Sequence, residues 1–201
     1  MLERYSSSNS RSAGVSCQES CDTLVRYASF RCSVRMIVLI GLLAAMSIVF
    51  GKLLAINIGN SIRISFENLP ILMAGIFLGG PAGFLTGILA DVIGCLIVGY
   101  SINPIITLAA GSIGLIAGLM FRALQKQNLP LRVCGSVMPA HVVGSMLLKS
   151  AGLMLFYHTP LAGVAPRVPL YCCIGLAESM IIILLLKNKA FAEQVERLNQ
   201  K

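Results

Sequence analysis

Residues 82–99 read AGFLTGILADVIGCLIVG, a run of 18 residues with one charged side chain, Asp91. A second run, IITLAAGSIGLIAGLMF at residues 105–121, carries no charge. A helix needs about 20 predominantly apolar residues to cross the roughly 30 Å hydrocarbon core of a bilayer. Only 12% of the 201 residues are charged and the mean hydropathy is +0.83, whereas a soluble domain carries about 25% charge. The composition therefore predicts a chain embedded in lipid.

The apolar runs predict an all-α, polytopic membrane domain over residues 36–187. Six helices are expected, near Met36–Ile56, Glu67–Leu78, Ala82–Gly99, Ile105–Phe121, Val133–Tyr157 and Leu170–Leu186. The second would be only roughly 18 Å long at 1.5 Å per residue, too short to span unaided. We expect it to pack against its neighbours beside a water-filled recess. Ile58, Ile62 and Ile64 alternate in part with polar residues, so residues 57–65 are predicted to form a short hairpin that acts as a lid.

The basic residues predict the orientation of the six helices. They precede the first helix, separate the fourth from the fifth and follow the sixth: Arg31, Arg35, Arg122, Lys126, Arg132, Lys187 and Lys189. Six crossings place all of them on one side, which the positive-inside rule assigns to the cytoplasm. We therefore expect a multi-pass cell-membrane protein with a mobile cytoplasmic tail at residues 1–35 and a cytoplasmic C-terminal tail at residues 188–201. The net charge of +8 is explained by this topology, and no nucleic-acid partner is expected.

Three charged residues lie well inside the predicted helices rather than at their ends, and a charge costs roughly 2.5 kcal/mol or more near the bilayer centre. Asp91, Lys149 and Glu178 each lie about eight residues from the outer end of a helix, roughly 12 Å deep at 1.5 Å per residue. They either neutralise one another or line a cavity that opens to the outside. The second interpretation is favoured because further polar residues gather at the same end: Asn60, Arg63, Glu67, Tyr100, Asn103 and Arg167.

Motifs for catalysis and energy coupling are missing from the sequence. There is no G-x-x-x-x-G-K-[ST] nucleotide-binding loop, no H-E-x-x-H metal motif and no G-x-S-x-G elbow. The seven cysteines fit neither a disulfide framework nor a zinc site. We therefore expect no catalytic residues, no metal and no cofactor. His141, inside the fifth helix, is expected to be packed or bonded to the backbone rather than to relay protons.

One long stretch identifies a family. Residues 52–118 read KLLAINIGNSIRISFENLPILMAGIFLGGPAGFLTGILADVIGCLIVGYSINPIITLAAGSIGLIAG, and the blocks RISFENLP, ADVIGC and YSINPIIT are long and specific. This sequence resembles the folate-specific substrate-binding (S) components of energy-coupling factor (ECF) transporters. The resemblance implies a six-helix subunit that captures a vitamin on the outer side, closes over it with the loop after the first helix and topples in the membrane to release it.

The resemblance also implies protein partners, namely a membrane-embedded T component and two ATP-binding cassette ATPases. In the family, an Ala-x-x-x-Ala pattern on the first helix docks on the T component. The corresponding residues here are Gly41 and Ala45, and glycine at the first position preserves the close approach of two helices.

The chemistry of a folate suggests roles for the polar residues. A pterin presents an amine and a ring N–H side by side, which one carboxylate can accept, and the glutamyl tail carries two carboxylates. We expect Asp91 or Glu67 to bind the pterin edge with help from Asn103. Tyr100 is expected to stack on an aromatic ring. The candidates for the glutamate end are Arg63, Lys149 and Arg167.

Three other functions remain open from the sequence. One alternative is an S component for thiamine, riboflavin or a nicotinate-like acid, because the architecture is shared while the pocket differs. The chain could be a membrane enzyme for lipid-linked substrates with Asp91 and Glu178 as acid and base. It could also be a structural subunit without a ligand, in which the buried charges pair.

Overall fold

A computed structural model describes residues 34–52, 54–58, 62–157 and 167–188, and at residues 56–58, 62–64, 157, 167 and 168 it describes the backbone alone. The tails predicted at residues 1–35 and 188–201 lie almost wholly outside the described residues. Within the described chain there are six helical segments, which we number in chain order: α1 (Val34–Lys52), α2 (Asn68–Leu78), α3 (Gly80–Val98), α4 (Pro104–Ala123), α5 (Leu129–Tyr157) and α6 (Arg167–Lys187).

The prediction of a six-helix membrane protein is confirmed. Among the described residues, five helices are long and apolar enough to cross a membrane, and α2 is a shorter apolar helix. Most helix ends lie within two residues of the prediction. Three differ more: α1 ends at Lys52 rather than Ile56, α5 begins at Leu129 rather than Val133, and α6 begins at Arg167 rather than Leu170. A proline in the first turn of α5 and of α6 explains the early starts, because proline is well tolerated there.

The loop after α1 contains a two-stranded antiparallel hairpin, as its alternating pattern predicted. Strand β1 (Ile56–Ile58) pairs with β2 (Ile62–Ile64), with Asn57 opposite Arg63. The first strand is the reason why α1 stops four residues early: Ile56 takes part in the ladder rather than in the helix. The molecule is thus helical apart from this hairpin, within the residues that the structure describes.

The short helix α2 lies in the interior of the bundle. All but one of its 11 residues are buried, among them Leu72 and Ala74, which have no exposed surface. A helix that is apolar on every side is buried in the interior of a protein or in a membrane. The prediction that α2 packs against its neighbours is therefore confirmed.

Helices α3 and α4 pack so closely that their glycines are required. A Cβ atom added at Gly114 would overlap the backbone of Gly83 in α3, and one added at Gly87 would overlap the carbonyl group of Ala110. Small residues at helix contacts let two backbones approach within van der Waals distance, which is the main source of helix association in lipid. This contact fixes α3 against α4 and so places their ends side by side.

Helix α5 changes its winding in the middle. Leu129–Ala140 and Lys149–Tyr157 are α-helical, whereas His141–Leu148 forms π-helical hydrogen bonds, such as the bond from the Lys149 N–H to the Gly144 carbonyl. Pro139 lies just before this segment. Because proline has no N–H and clashes with the preceding turn, it disrupts the α-helical ladder. The wider turn that follows is typical of π-bulges, which are frequent at functional sites.

The glycine contact between α3 and α4 predicts a selective loss of stability. Gly114→Ala adds one methyl group against the Gly83 backbone, so we expect it to destabilise the folded protein by about 1–3 kcal/mol, the usual cost of overpacking. The measurement is thermal unfolding of the purified protein in detergent. Gly41→Ala is the matched control, because a Cβ atom there meets nothing within 4 Å. Equal melting temperatures for the two variants would contradict the proposed contact.

Candidate functional site

The ends of all six helices meet around one cavity. Helices α1, α3 and α5 end at this side of the bundle, whereas α2, α4 and α6 begin there. The cavity has a volume of about 230 Å³. Its lining residues are Lys52, Ser65, Glu67, Asp91, Cys95, Tyr100, Ser101, Asn103, Ile106, Lys149, Leu153, Leu170 and Tyr171. The wall therefore combines both signs of charge with two tyrosines and a small apolar surface.

A buried ion pair joins α5 to the beginning of α2. The Lys149 ammonium donates to Glu67 Oε1 at 2.7 Å and to Asn68 Oδ1 at 3.2 Å. The lysine side chain is 9% exposed and the glutamate side chain 31%, so the pair spans from the interior to the cavity surface. An ammonium has three N–H donors, and the bonds to described residues use two of them.

The Asp91 carboxylate is fixed from the neighbouring helix. The Thr107 hydroxyl of α4 donates to Asp91 Oδ2 at 2.6 Å. Among the described residues, Asp91 Oδ2 has a hydrogen-bond donor and Oδ1 has none. Oδ1 is therefore available on the cavity wall. A fixed carboxylate with one available oxygen is suited to accept a hydrogen bond from a ligand.

Asn103 has a structural role that the sequence did not indicate. Its Oδ1 accepts from the Ile105 N–H at 3.0 Å, which caps α4, and its Nδ2 donates to the Gly152 carbonyl of α5 at 3.3 Å. An asparagine at a helix start commonly makes the first of these bonds. Asn103 thus holds two helices at the cavity and has limited capacity left for a ligand.

Two tyrosines and a second lysine complete the wall. The Lys52 ammonium lies 5.3 Å from the centroid of the Tyr100 ring, within the range of a cation–π contact. Tyr171 of α6 also lines the cavity and stacks on His141, with 6.1 Å between ring centroids. Sequence reasoning missed Lys52 and Tyr171. Their position at a helix end beside a polar loop was the available signal.

The predicted site residues are placed as follows. Glu67, Asp91, Tyr100, Asn103 and Lys149 all line the same cavity. The side chains of Arg63 and Arg167 lie outside the described part of the structure, although the backbone places Arg63 in β2 and Arg167 at the start of α6. Their predicted contacts with ligand remain predictions.

Glu178 corrects the interpretation of the three charges as one group. It has no exposed surface and its Oε2 lies 2.6 Å from His141 Nε2, away from the cavity lining. Glu178 lies at a depth along α6 similar to that of Asp91 and Lys149 in their helices, but depth does not tell which side of a helix a residue occupies. Glu178 and Asp91 therefore do not form a shared acid–base site. His141 is packed, as expected, but its partners are the side chains of Glu178 and Ser145 rather than the backbone.

The residues Gly41 and Ala45 lie on the exposed surface of α1. No atom of the described chain lies within 4 Å of a Cβ atom added at Gly41. Because the two residues are four positions apart, they share one face of the helix. The pair therefore does not pack against the described part of the bundle.

Comparisons with known proteins agree with this architecture. The family model described as ECF-type riboflavin transporter, S component, matches residues 31–189. No curated protein matches the sequence significantly. The fold is similar to that of FolT bound with folic acid, with a TM-score of 0.62 and 24% identity over 75% of this chain and 90% of that chain. It is also similar to the S component of a bacterial ECF transporter, with a TM-score of 0.55 and 19% identity over 78% of this chain and 95% of the other.

The match to the family model covers most of the chain and includes all the residues that line the cavity. The similar structures share the fold of this chain. The chain therefore belongs to the ECF-type riboflavin transporter S component family and is a multi-pass membrane subunit of a vitamin transporter.

Proposed function

We propose that this S component captures folate at the outer side of the membrane and delivers it inward when docked on its energising module. The observation that carries the proposal is the charge pattern of the cavity, which has two carboxylates and two ammonium groups in its wall. The similarity to FolT bound with folic acid supports the choice of ligand, since that protein shares this fold.

The two ends of a folate match the two kinds of charge. A pterin offers adjacent N–H donors, which a carboxylate accepts in bidentate fashion, and the glutamyl tail offers two carboxylates. Asp91 is the better candidate for the pterin edge, because its bonded neighbour is the neutral Thr107 hydroxyl, whereas the charge of Glu67 is already compensated by Lys149. Lys149 and Lys52 provide cations for the carboxylates. Arg63 and Arg167 remain proposed for the same end.

Riboflavin is the second candidate because the family model carries its name. Riboflavin has a fused aromatic ring system and a hydroxylated chain but no carboxylate. Lys52 and Lys149, both in the cavity wall, would have no anionic group to bind. Folate would add charge-assisted hydrogen bonds to these ammonium groups and riboflavin would not, so the charges favour folate.

The proposed orientation is supported by the positions of the helix ends. Because the chain alternates between two sides, the cavity lies opposite the end that carries Arg35, Arg122, Lys126, Arg132 and Lys187. The positive-inside rule then assigns the cavity to the outside and both termini to the cytoplasm. A T component and two ATP-binding cassette ATPases would supply the energy. The exposed pair Gly41 and Ala45 is the proposed docking surface for the T component.

Ligand binding to purified protein tests the choice of vitamin. We expect folate to bind with a dissociation constant tighter than about 1 μM, a binding free energy of roughly −8 kcal/mol, and riboflavin, thiamine and nicotinate to bind at least tenfold more weakly. Isothermal titration with this panel is the measurement.

Asp91→Asn should weaken folate binding about 10- to 100-fold, because a hydrogen bond to a charged group contributes about 1.5–3 kcal/mol.

Thr86→Val is the matched control for Asp91→Asn. Thr86 is buried on the same helix, and its hydroxyl bonds to the Ala82 carbonyl of that helix, so its loss should leave folate affinity unchanged. Tight binding of riboflavin with no binding of folate would show that riboflavin is the ligand. The family assignment would be unaffected.

Accessibility of single cysteines in whole cells tests the orientation. In a variant without native cysteines, Ile102→Cys marks the loop beside the cavity and Gln125→Cys marks the loop at the opposite end, both exposed positions. A membrane-impermeant maleimide should label the cysteine at position 102 and should label the one at position 125 only after permeabilisation. The reverse result would place the cavity on the cytoplasmic side.

Substitutions on α1 test the docking surface. Gly41→Leu and Ala45→Leu each place a bulky side chain on the proposed contact, so we expect folate binding by the isolated subunit to be unchanged and uptake by the complete transporter to fall at least tenfold. Cys173→Leu is the control, because it makes a similar change at an exposed position of α6. Normal uptake by both α1 variants would show that another surface docks.

A further inference from the structure

A line of buried polar side chains leads away from the cavity into the bundle. It begins at Lys149, passes through Asn68, Ser145 and His141, and ends at Glu178, and we call these five residues the polar chain. It connects α2, α5 and α6. Each member is at most 7% exposed. Buried polar groups in a membrane protein are costly unless all are bonded, so the chain needs an explanation beyond chance.

Consecutive members of the polar chain are in hydrogen-bond contact. Asn68 Oδ1 lies 3.2 Å from the Lys149 ammonium, and Asn68 Nδ2 lies 3.4 Å from Ser145 Oγ. Ser145 Oγ lies 3.3 Å from His141 Nδ1, and His141 Nε2 lies 2.6 Å from Glu178 Oε2. The chain therefore runs without a break from a cation to a carboxylate.

The chemistry of Lys149 fixes the direction of the first two bonds. Lysine only donates, so the Asn68 amide must turn its oxygen to Lys149 and its NH₂ group to Ser145. Ser145 Oγ accepts that bond, and its O–H is then available to donate to His141 Nδ1. When it does, Nδ1 carries no proton, and the ring proton of a neutral imidazole is on Nε2, where it is donated to Glu178. In this arrangement each of the three middle groups accepts one bond and donates the next.

We propose that Asn68, Ser145, His141 in its neutral Nε2–H form, and Glu178 are positioning residues that hold the Lys149 ammonium at the cavity wall for the anionic end of the ligand. The positive end of the chain is Lys149 and the negative end is Glu178. Hydrogen bonds that all point the same way polarise one another and become stronger. The inference rests on the proposed function, because it takes the cavity to be the ligand site.

The local structure of α5 supports a shared role for its three members. His141, Ser145 and Lys149 are spaced by four residues and so lie on one face of the helix. The first two are in the π-helical segment, and Lys149 follows it directly. Tyr171, which stacks on His141, also lines the cavity, so the imidazole has a second connection to the site. The change in winding thus coincides with the polar chain.

The Glu178 end of the polar chain shows why removing the His141 side chain would be an uninformative test. Glu178 Oε1 has no hydrogen-bond partner among the described residues, so the bond to His141 is the main compensation for burying this carboxylate. Deleting one partner of a buried pair commonly unfolds a protein. The test therefore uses Ser145, whose hydroxyl is a link in the chain and whose replacement by alanine changes the volume little.

The first measurement determines the form of His141. Nitrogen-15 NMR of the histidine-labelled protein is recorded in a His158→Gln background, so that one imidazole remains. We expect the shifts of a neutral ring protonated on Nε2, and we expect the Nδ1 resonance to move when folate is added. An imidazolium, or a neutral ring protonated on Nδ1, would overturn the direction of the chain and the proposal with it.

The second measurement compares Ser145→Ala with Ser136→Ala. Both serines are on α5 and have no exposed surface, but the Ser136 hydroxyl bonds to the Val133 carbonyl of its own helix. Loss of one link should weaken folate binding by Ser145→Ala about fivefold to tenfold, as for a hydrogen bond of about 1 kcal/mol, and should remove the folate-induced shift of His141. Ser136→Ala should keep both properties of the parent protein.

The outcomes separate this proposal from the proposed function. If Ser145→Ala binds folate as tightly as Ser136→Ala and keeps the shift, the chain does not position Lys149 and the proposal is wrong, while folate capture stands. If the parent protein binds no folate, the proposed function fails, and the NMR spectrum of the ligand-free protein alone decides the direction of the chain.

Discussion

The ion pair between Lys149 and Glu67 is the interaction on which the cavity depends. Its bond of 2.7 Å joins the second half of α5 to the residue before α2, and Asn68 adds a second acceptor for the same ammonium. A lysine at this depth is tolerated only with partners, because an unpaired charge is strongly disfavoured in hydrocarbon. The pairing therefore fixes the short helix in the bundle and at the same time keeps a cation at the cavity wall.

Close helix packing provides the frame for that pair. Gly83 and Gly114 allow α3 and α4 to touch backbone to backbone, and Thr107 can then bond to Asp91 across the two helices. The short length of α2 contributes in another way. A helix of 11 residues covers only about 16 Å at 1.5 Å per residue, so it leaves room at the cavity end that the other helices enclose.

Much of this arrangement was readable from the sequence, and the failures have one cause. Long apolar runs predicted the helices, and alternation of isoleucines predicted the hairpin, because both depend on local periodicity. Residue depth correctly grouped Asp91 with Lys149 but wrongly added Glu178. Which side of a helix faces a neighbour depends on packing, and here on the π-helical turn in α5. Lys52 and Asn103 show the same limit. A polar residue at a helix end has the same sequence pattern whether it faces a ligand or caps a helix, so the sequence did not reveal that Lys52 lines the cavity or that Asn103 is a cap.

The separation of Glu178 from the cavity changes the physical account of the buried charges. Asp91 and Lys149 each bond to a partner of their own beside the cavity, Thr107 and Glu67, whereas Glu178 is fully enclosed and bonded to His141. A structural subunit without a ligand would gain from replacing such a pair by apolar side chains, because buried ion pairs contribute little net stability. Hydrogen bonds connect Glu178 to Lys149 through three other side chains. This connection gives the buried pair of Glu178 and His141 a function besides stability. These hydrogen bonds relate a buried carboxylate in α6 to the cation that faces the cavity, and so extend the site beyond the residues that can touch a ligand.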